Sequence, residues 1–336
     1  MGPWSVALLV WSAAAVLAPP ARAETVEEFY KDKTVTLYVA SSAGGGTDIY
    51  GRIVAAHIGR HLPGRPRVNV SNVPGANGVV LANRLYNTLP KDGTALGTFD
   101  RYLPIQSILG NPNAKFDASK FNWIGSTNVD VSTCATSRES GVTTLSEFLT
   151  KEIAIGSTSS WHPFVLNKFF GAKLKLVTGY PGGNEIDLAL ERGELSGRCH
   201  WSWSSIATTR ADWVRDQKIN VILQFSSRKH PDLPHVPIAT DLVKSERERQ
   251  VVAFVVAPSE ASRPFAAPPD VPLDRIAALR KAFDAALADP DLLATAQRLK
   301  LEIQPVTGED IQKLIERVYQ TPPDILEEFR PLMSGQ

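Results

Sequence analysis

Four short segments combine glycine with hydroxyl or amide side chains: SSAGGGTD at 41–48, NVPGANG at 72–78, GSTSSWH at 156–162 and GYPGGNE at 179–185. The first follows the apolar run VTLYVA and precedes IYGRIVAAHIGRHL, which reads as helix. Consecutive glycines cost conformational entropy, so they imply a sharp bend or a close approach of the backbone to something else. At a helix start the leading N–H groups lack intrahelical acceptors and carry the positive end of the dipole, a ready seat for a carboxylate or phosphate. Asp48 is expected to cap its own helix and so to take one or two of those groups. A tight turn alone is the competing explanation for the glycines.

Other chemistries lack their residues. A dinucleotide fingerprint starting at Gly44 meets Ile49 at its third glycine position, one starting at Gly46 fails at Asp48, and no Gly-Lys-Ser/Thr follows. There is no G-x-S-x-G elbow and no H-E-x-x-H helix. No metal or cofactor is expected. His162 and His200 each adjoin a tryptophan, in WHP and CHWSW, and are either partly buried loop histidines or ligand contacts. The two cysteines, Cys134 and Cys199, are either one disulfide or two buried thiols.

One loop cannot bind tightly by itself. A helix terminus contributes about 0.3–1 kcal/mol exposed and ~2 when partly buried, whereas micromolar affinity needs about 8 kcal/mol. Several loops must therefore converge on one ligand and exclude water. The elements permit this. TVTLYVA, RVNVSNV and a short run ending near Phe99 read as strands alternating with helices, the pattern of an α/β domain with a largely parallel sheet. A second set follows: a strand-like stretch 123–136, a short helix capped at Thr143 or Thr144, EIAIG, the helix WHPFVLNKFF ended by Gly171, KLKLV, the helix NEIDLALERGE, LSGRCHWSWSS and NVILQFSS. Beyond these, VVAFVVAP reads as a buried strand, SRPFAAPPDVP as a surface loop, and 273–287 and 308–320 as amphipathic helices. In such sheets ligands bind beyond the carboxyl ends of the strands, where all four glycine-bearing loops lie.

The first 23 residues pair an apolar stretch with Ala21-Arg22-Ala23, an export signal cleaved after Ala23, with an uncleaved anchor as the alternative. The 336-residue chain carries 36 basic and 35 acidic residues, with no basic run that suggests nucleic acid. Its length suggests two domains.

Several segments together resemble the Bug, or TctC-like, extracytoplasmic solute receptors of tripartite tricarboxylate transporters. They are GGGTDIYGRI, VNVSNVPGANG, PKDGTAL, IGSTSS, YPGGNEIDLALERGEL, HPDLPHVPIATDL, VVAFVVAP and GEDIQKLIERV, and they run from about Phe29 to Leu332. The resemblance implies an α/β, two-lobed type II periplasmic-binding-protein-like fold with a ligand cleft between lobes. Lobe I would be 24–126 plus 249–336 and lobe II 127–248. It also implies a periplasmic, non-catalytic, monomeric receptor that delivers a small carboxylate to membrane permease subunits. The implied contacts are Ser42, Ala43, Gly44 and Asp48, then Pro74, Gly75 and Ala76, then Ser157, Thr158 and Ser159, and finally Gly182, Gly183 and Asp187.

Arg101, after the third strand, either pairs with a ligand carboxylate bidentately or sits on the surface. Trp161, Trp201 and Trp203 suggest an aromatic carboxylate, with core packing as the alternative. The rival function is an exported hydrolase or lyase using Asp48 or Asp187 with His162.

Overall fold

Strands form where β-branched and apolar residues run together, as in TVTLYV and INVILQF. The computed structural model describes residues 24–333; the export signal read over 1–23 lies outside them. Strands β1 (Thr34–Val39), β2 (Arg67–Asn72), β3 (Ala95–Thr98) and β4 (Asn122–Ser126) belong to one sheet. The chain then enters a second sheet with β5 (Ser132–Ser137), β6 (Glu152–Gly156), β7 (Lys173–Val177), β8 (Gly197–Ser202) and β9 (Ile219–Phe225). It returns to the first with β10 (Pro264–Ala267) and β11 (Val306–Thr307).

The first sheet has the order β11-β4-β10-β3-β1-β2 and the second β7-β6-β8-β5-β9. Strand β1 is parallel to β2 and β3, and β6 is parallel to β7 and β8. Loops after these strands therefore emerge at a common end of each sheet. The two sheets with their covering helices make the α/β, two-lobed fold expected from the sequence. An aromatic stack ties the lobes together: Tyr102 after β3, Trp161 on the Trp161–Phe170 helix, and Phe329 of the Pro323–Phe329 helix, with ring centroids 5.8 and 5.3 Å apart.

Two elements differ from expectation. VVAFVVAP is not a strand: its first residues end the Glu246–Val256 helix. Ser245 and Glu248 form a capping box ahead of the valines, and the hydrogen bonds it supplies outweigh β-branched propensity. SRPFAAPPDVP is not merely a surface loop, because Pro264–Ala267 is a fully buried strand lodged between β3 and β4. Proline is tolerated at its first position, where no ladder donor is required. The stretch 123–136 divides between the two sheets as β4 and β5. No described helix is long and apolar enough to cross a membrane.

Cys134 and Cys199 are disulfide-bonded, closing the open question, and the bond joins neighbouring strands β5 and β8. Both cysteines are buried. Beside it, His200 adopts φ +54°, a left-handed conformation in mid-strand, where the β5–β8 register shifts.

Candidate functional site

A cleft of about 810 Å³ opens between the carboxyl ends of the two sheets. Its first-lobe wall includes Gly45, Gly46 and Thr47 at the start of the Gly46–Ile58 helix, then Pro74 to Asn77 after β2, and Asp100 and Arg101 after β3. Its second-lobe wall includes Ser157 and Thr158 after β6, 178–184 after β7, and Arg198, His200, Trp201 and Ser202 of β8. Arg263 enters from the segment before β10.

The glycine run serves close approach. Gly44 takes φ +78°, and a Cβ on Gly46 would collide with the Ser205 hydroxyl of the second lobe. No side chain caps the helix that begins at Gly46. Asp48 departs from its expected capping role. Its carboxylate accepts from the Gly44 amide at 2.8 Å, Arg52 Nε at 2.7 Å and Asn72 Nδ2 at 2.8 Å, tying the loop to the end of β2. Burial pushes its pKa up, but these three donors outweigh burial and hold it below the ordinary 3.8. The amides at the helix start are thereby left to the cleft.

Among the residues expected to contact ligand, Pro74, Gly75, Ala76, Arg101, Ser157, Thr158, Gly182, Gly183 and Asp187 line the cleft. Ser42, Ala43, Gly44, Asp48 and Ser159 do not. The Ser42 hydroxyl donates to Glu185 at 3.3 Å and the Ala43 carbonyl accepts from Asn184 at 3.2 Å, so these residues close one rim from lobe to lobe. Two lining groups are already engaged. Ser157 Oγ lies 2.6 Å from the Ser159 carbonyl, and the buried Asp187 carboxylate takes Arg198 on one oxygen and Arg210 on the other, the latter at 3.0 Å.

Arg101 is buried, at 3 % exposure, rather than on the surface. Its terminal nitrogens donate to the hydroxyls of Ser202 and Ser259, the latter at 3.4 Å, while its Nε has no partner. It makes no ion pair among the described residues, unlike Arg198 with Asp187 and Arg263, which lies 3.7 Å from Asp130. Its chain neighbour Asp100 turns away, accepting from the Tyr102 amide at 2.9 Å and lying 3.4 Å from His200 Nε2.

Sequence reasoning passed over Arg198 and Arg263 as lining residues and left His200 open between a buried loop histidine and a ligand contact. Arg198 and His200 alternate along β8, and that period of two was the available signal. No local pattern marks Arg263. Burial, then the charges of Arg101, Arg198 and Arg263, holds the His200 pKa well below its usual 6.5. His162 is fully buried outside the cleft, 3.1 Å from the Tyr102 hydroxyl. The structure does not bring it together with Asp48 or Asp187, so the hydrolase constellation is not assembled. Of the three tryptophans only Trp201 lines the cleft, beneath the Arg198 guanidinium at 4.5 Å. Trp161 is in the interlobe stack, and Trp203 donates to Asp232 at 3.1 Å.

The fold is similar to that of known solute-binding proteins. The periplasmic binding protein BugD superposes with a TM-score of 0.73 at 18% identity, covering 90% of this chain and 98% of its own. A TctC solute-binding protein from Polaromonas gives 0.61 at 20% identity, with 91% and 100% covered. MatC from Rhodopseudomonas palustris, solved with bound malate, gives 0.69 at 18% identity, with 88% and 99% covered. The chain thus has the fold of Bug and TctC solute-binding proteins. No protein-family model and no curated protein sequence matches it.

Proposed function

We propose that the chain is a non-catalytic receptor that captures a small carboxylate in the periplasm and delivers it to permease subunits of a tripartite tricarboxylate-type transporter. In this reading 1–23 directs export, 24–126 with 249–336 forms one lobe, and 127–248 forms the other. The observation that carries the proposal is Arg101, a buried guanidinium on the cleft wall with no carboxylate partner. An unpaired buried charge costs several kcal/mol, and a ligand carboxylate is the group that offsets it.

Charge accounting supports the same conclusion. Asp187 faces both Arg198 and Arg210, Asp130 faces Arg263, and Asp100 turns toward His200, so the arginines exceed the aspartates by one. The uncapped helix start at Gly46 and the loop at Gly75 and Ala76 add main-chain donors on the same first-lobe wall. An aromatic ring on the ligand would have Trp201 and Tyr180 as its contacts.

Isothermal calorimetry against aliphatic and aromatic carboxylic acids tests the proposal. Saturable binding of at least one acid, without turnover, is the expected result. Absence of binding across the panel, or conversion of any member, would overturn it.

A further inference from the structure

A serine at a helix N-cap ordinarily turns its oxygen inward to accept from an amide of the first turn. Ser202, at the N-cap of the Trp203–Thr209 helix, makes no such bond, and the Ser204 amide goes to Asp130 at 3.3 Å instead. Nη2 of Arg101 and Nη1 of Arg263 donate to the Ser202 Oγ, the latter at 3.3 Å. Three residues on, Ser205 Oγ accepts from Nη2 of the same Arg263 at 2.9 Å. All four residues line the cleft.

A guanidinium offers N–H donors and no acceptor, so each of these contacts has one possible direction: the serine oxygen accepts. A hydroxyl has two lone pairs and a single hydrogen. Both lone pairs of Ser202 and one of Ser205 are therefore taken, and neither hydrogen has an acceptor among the described residues. With arginine behind them, the two hydrogens are left to the cleft. Guanidinium donation also polarises each O–H bond and makes it a stronger donor. Gly46 is what lets Ser205 stand there, since a Cβ on Gly46 would lie 2.0 Å from its Oγ.

The fork of Arg263 sets the pair, one Nη holding the oxygen of Ser202 and the other that of Ser205. Two hydroxyl donors on one guanidinium suit an acceptor with two oxygens and no hydrogen. Resting on the receptor reading above, we infer that Ser202 and Ser205 form the seat of the ligand carboxylate, each donating its hydroxyl hydrogen to one carboxylate oxygen, with Arg263 behind them as a positioning residue. Arg101, which also donates to Ser202, supplies charge beside the seat. Neither serine is among the contacts implied by the family resemblance.

Calorimetry with acetate, lactate, succinate, malate, adipate and benzoate selects the acid that wild type binds most tightly, and that acid is the probe. Ser202→Ala and Ser205→Ala are each expected to weaken its binding by between about tenfold and a hundredfold, the worth of one hydrogen bond to a charged group. Arg263→Lys keeps the charge but cannot hold both oxygens in a fork, so it should lose about tenfold, and Ser205→Ala added to it should cost less than in wild type. Without ligand, both alanine variants should melt near the wild-type temperature, because cleft water can serve the guanidiniums in place of the hydroxyls. Wild-type affinity in either alanine variant, or in Arg263→Lys, overturns the inference while leaving the carboxylate receptor standing. A loss of affinity accompanied by ligand-free melting several degrees lower also overturns it, since the serines would then belong to the scaffold. If none of the acids binds wild type, the receptor reading fails and this inference with it.

Discussion

Replacing Arg101 by methionine should separate binding from folding. The guanidinium is buried and makes no ion pair among the described residues, and the neighbouring Asp100 feels its charge without contacting it, so wild-type protein without ligand carries an incompletely compensated charge. Removing one partner of a buried, hydrogen-bonded charge pair costs a complex about 2–5 kcal/mol, a loss of roughly 30-fold to several thousand-fold in affinity. The ligand-free protein should behave in the opposite sense. Ser202 retains Arg263 at 3.3 Å after the change, and the Ser259 contact at 3.4 Å is too long to hold much energy. An apolar side chain of similar length therefore exchanges a desolvated charge for packing, which is neutral or stabilising by about 1–4 kcal/mol. For a chain of this size each kcal/mol moves the melting temperature by about 2 °C. The assay is calorimetric titration of the acid bound by wild type, alongside thermal melting without ligand. Wild-type affinity in Arg101→Met would refute the assignment. So would a ligand-free melting temperature several degrees below wild type, since that would make Arg101 a structural residue whose loss weakens binding only indirectly.

Further outcomes follow from other contacts. Gly46→Ala places a methyl against Ser205 and near Arg263, so the lobes should close less completely: affinity should fall several-fold and the radius of gyration with ligand, by X-ray scattering, should exceed that of wild type. Removing the disulfide with Cys134→Ala and Cys199→Ala releases a loop spanning a sequence separation of 65, a cost of about 4 kcal/mol by chain entropy; an unchanged denaturation midpoint would contradict this. Burial pulls His230 down, but Glu302 at 3.0 Å outweighs it and raises the pKa above 6.5. That contribution to stability is complete below 6.5 and is lost as pH rises through the higher folded value, so Glu302→Gln should flatten the alkaline decline in melting temperature between about pH 6 and 8. His162 and His200 act in reverse. Burial lowers both, so their share of stability is lost as pH falls below 6.5, and His162→Phe should reduce that acid slope.

The sequence revealed the scaffold more readily than the chemistry, and the reason lies in the range of the interactions. The Thr144 cap and the Gly171 stop are local events, so Thr144–Glu147 and the left-handed Gly171 were readable from neighbouring residues. The Ser245–Glu248 box was equally local but was masked by the four valines that flank Ala253 and Phe254, Val251, Val252, Val255 and Val256, which mimic a strand. Strand β10 was illegible because Pro264, Ala266 and Ala267 have little strand propensity; its place is set by the edges of β3 and β4, distant in sequence. The cleft shows the same division. The glycine loops were visible because backbone conformation restricts residue type, and 74–76 and 182–183, contacts implied by the family resemblance, do line the wall. What the side chains do there depends on partners far away along the chain. Asp48 looked like a cap until Asn72 and Arg52 claimed it, and Asp187, implied as a ligand contact, is held by Arg198 and Arg210. Arg101 is the converse case: two readings were open for an arginine after a strand, and burial removes the surface one, leaving the ligand contact as the proposed role. A buried charge without an ion pair is a property no short segment can encode, and on the proposed reading it reports on a ligand rather than on the chain itself.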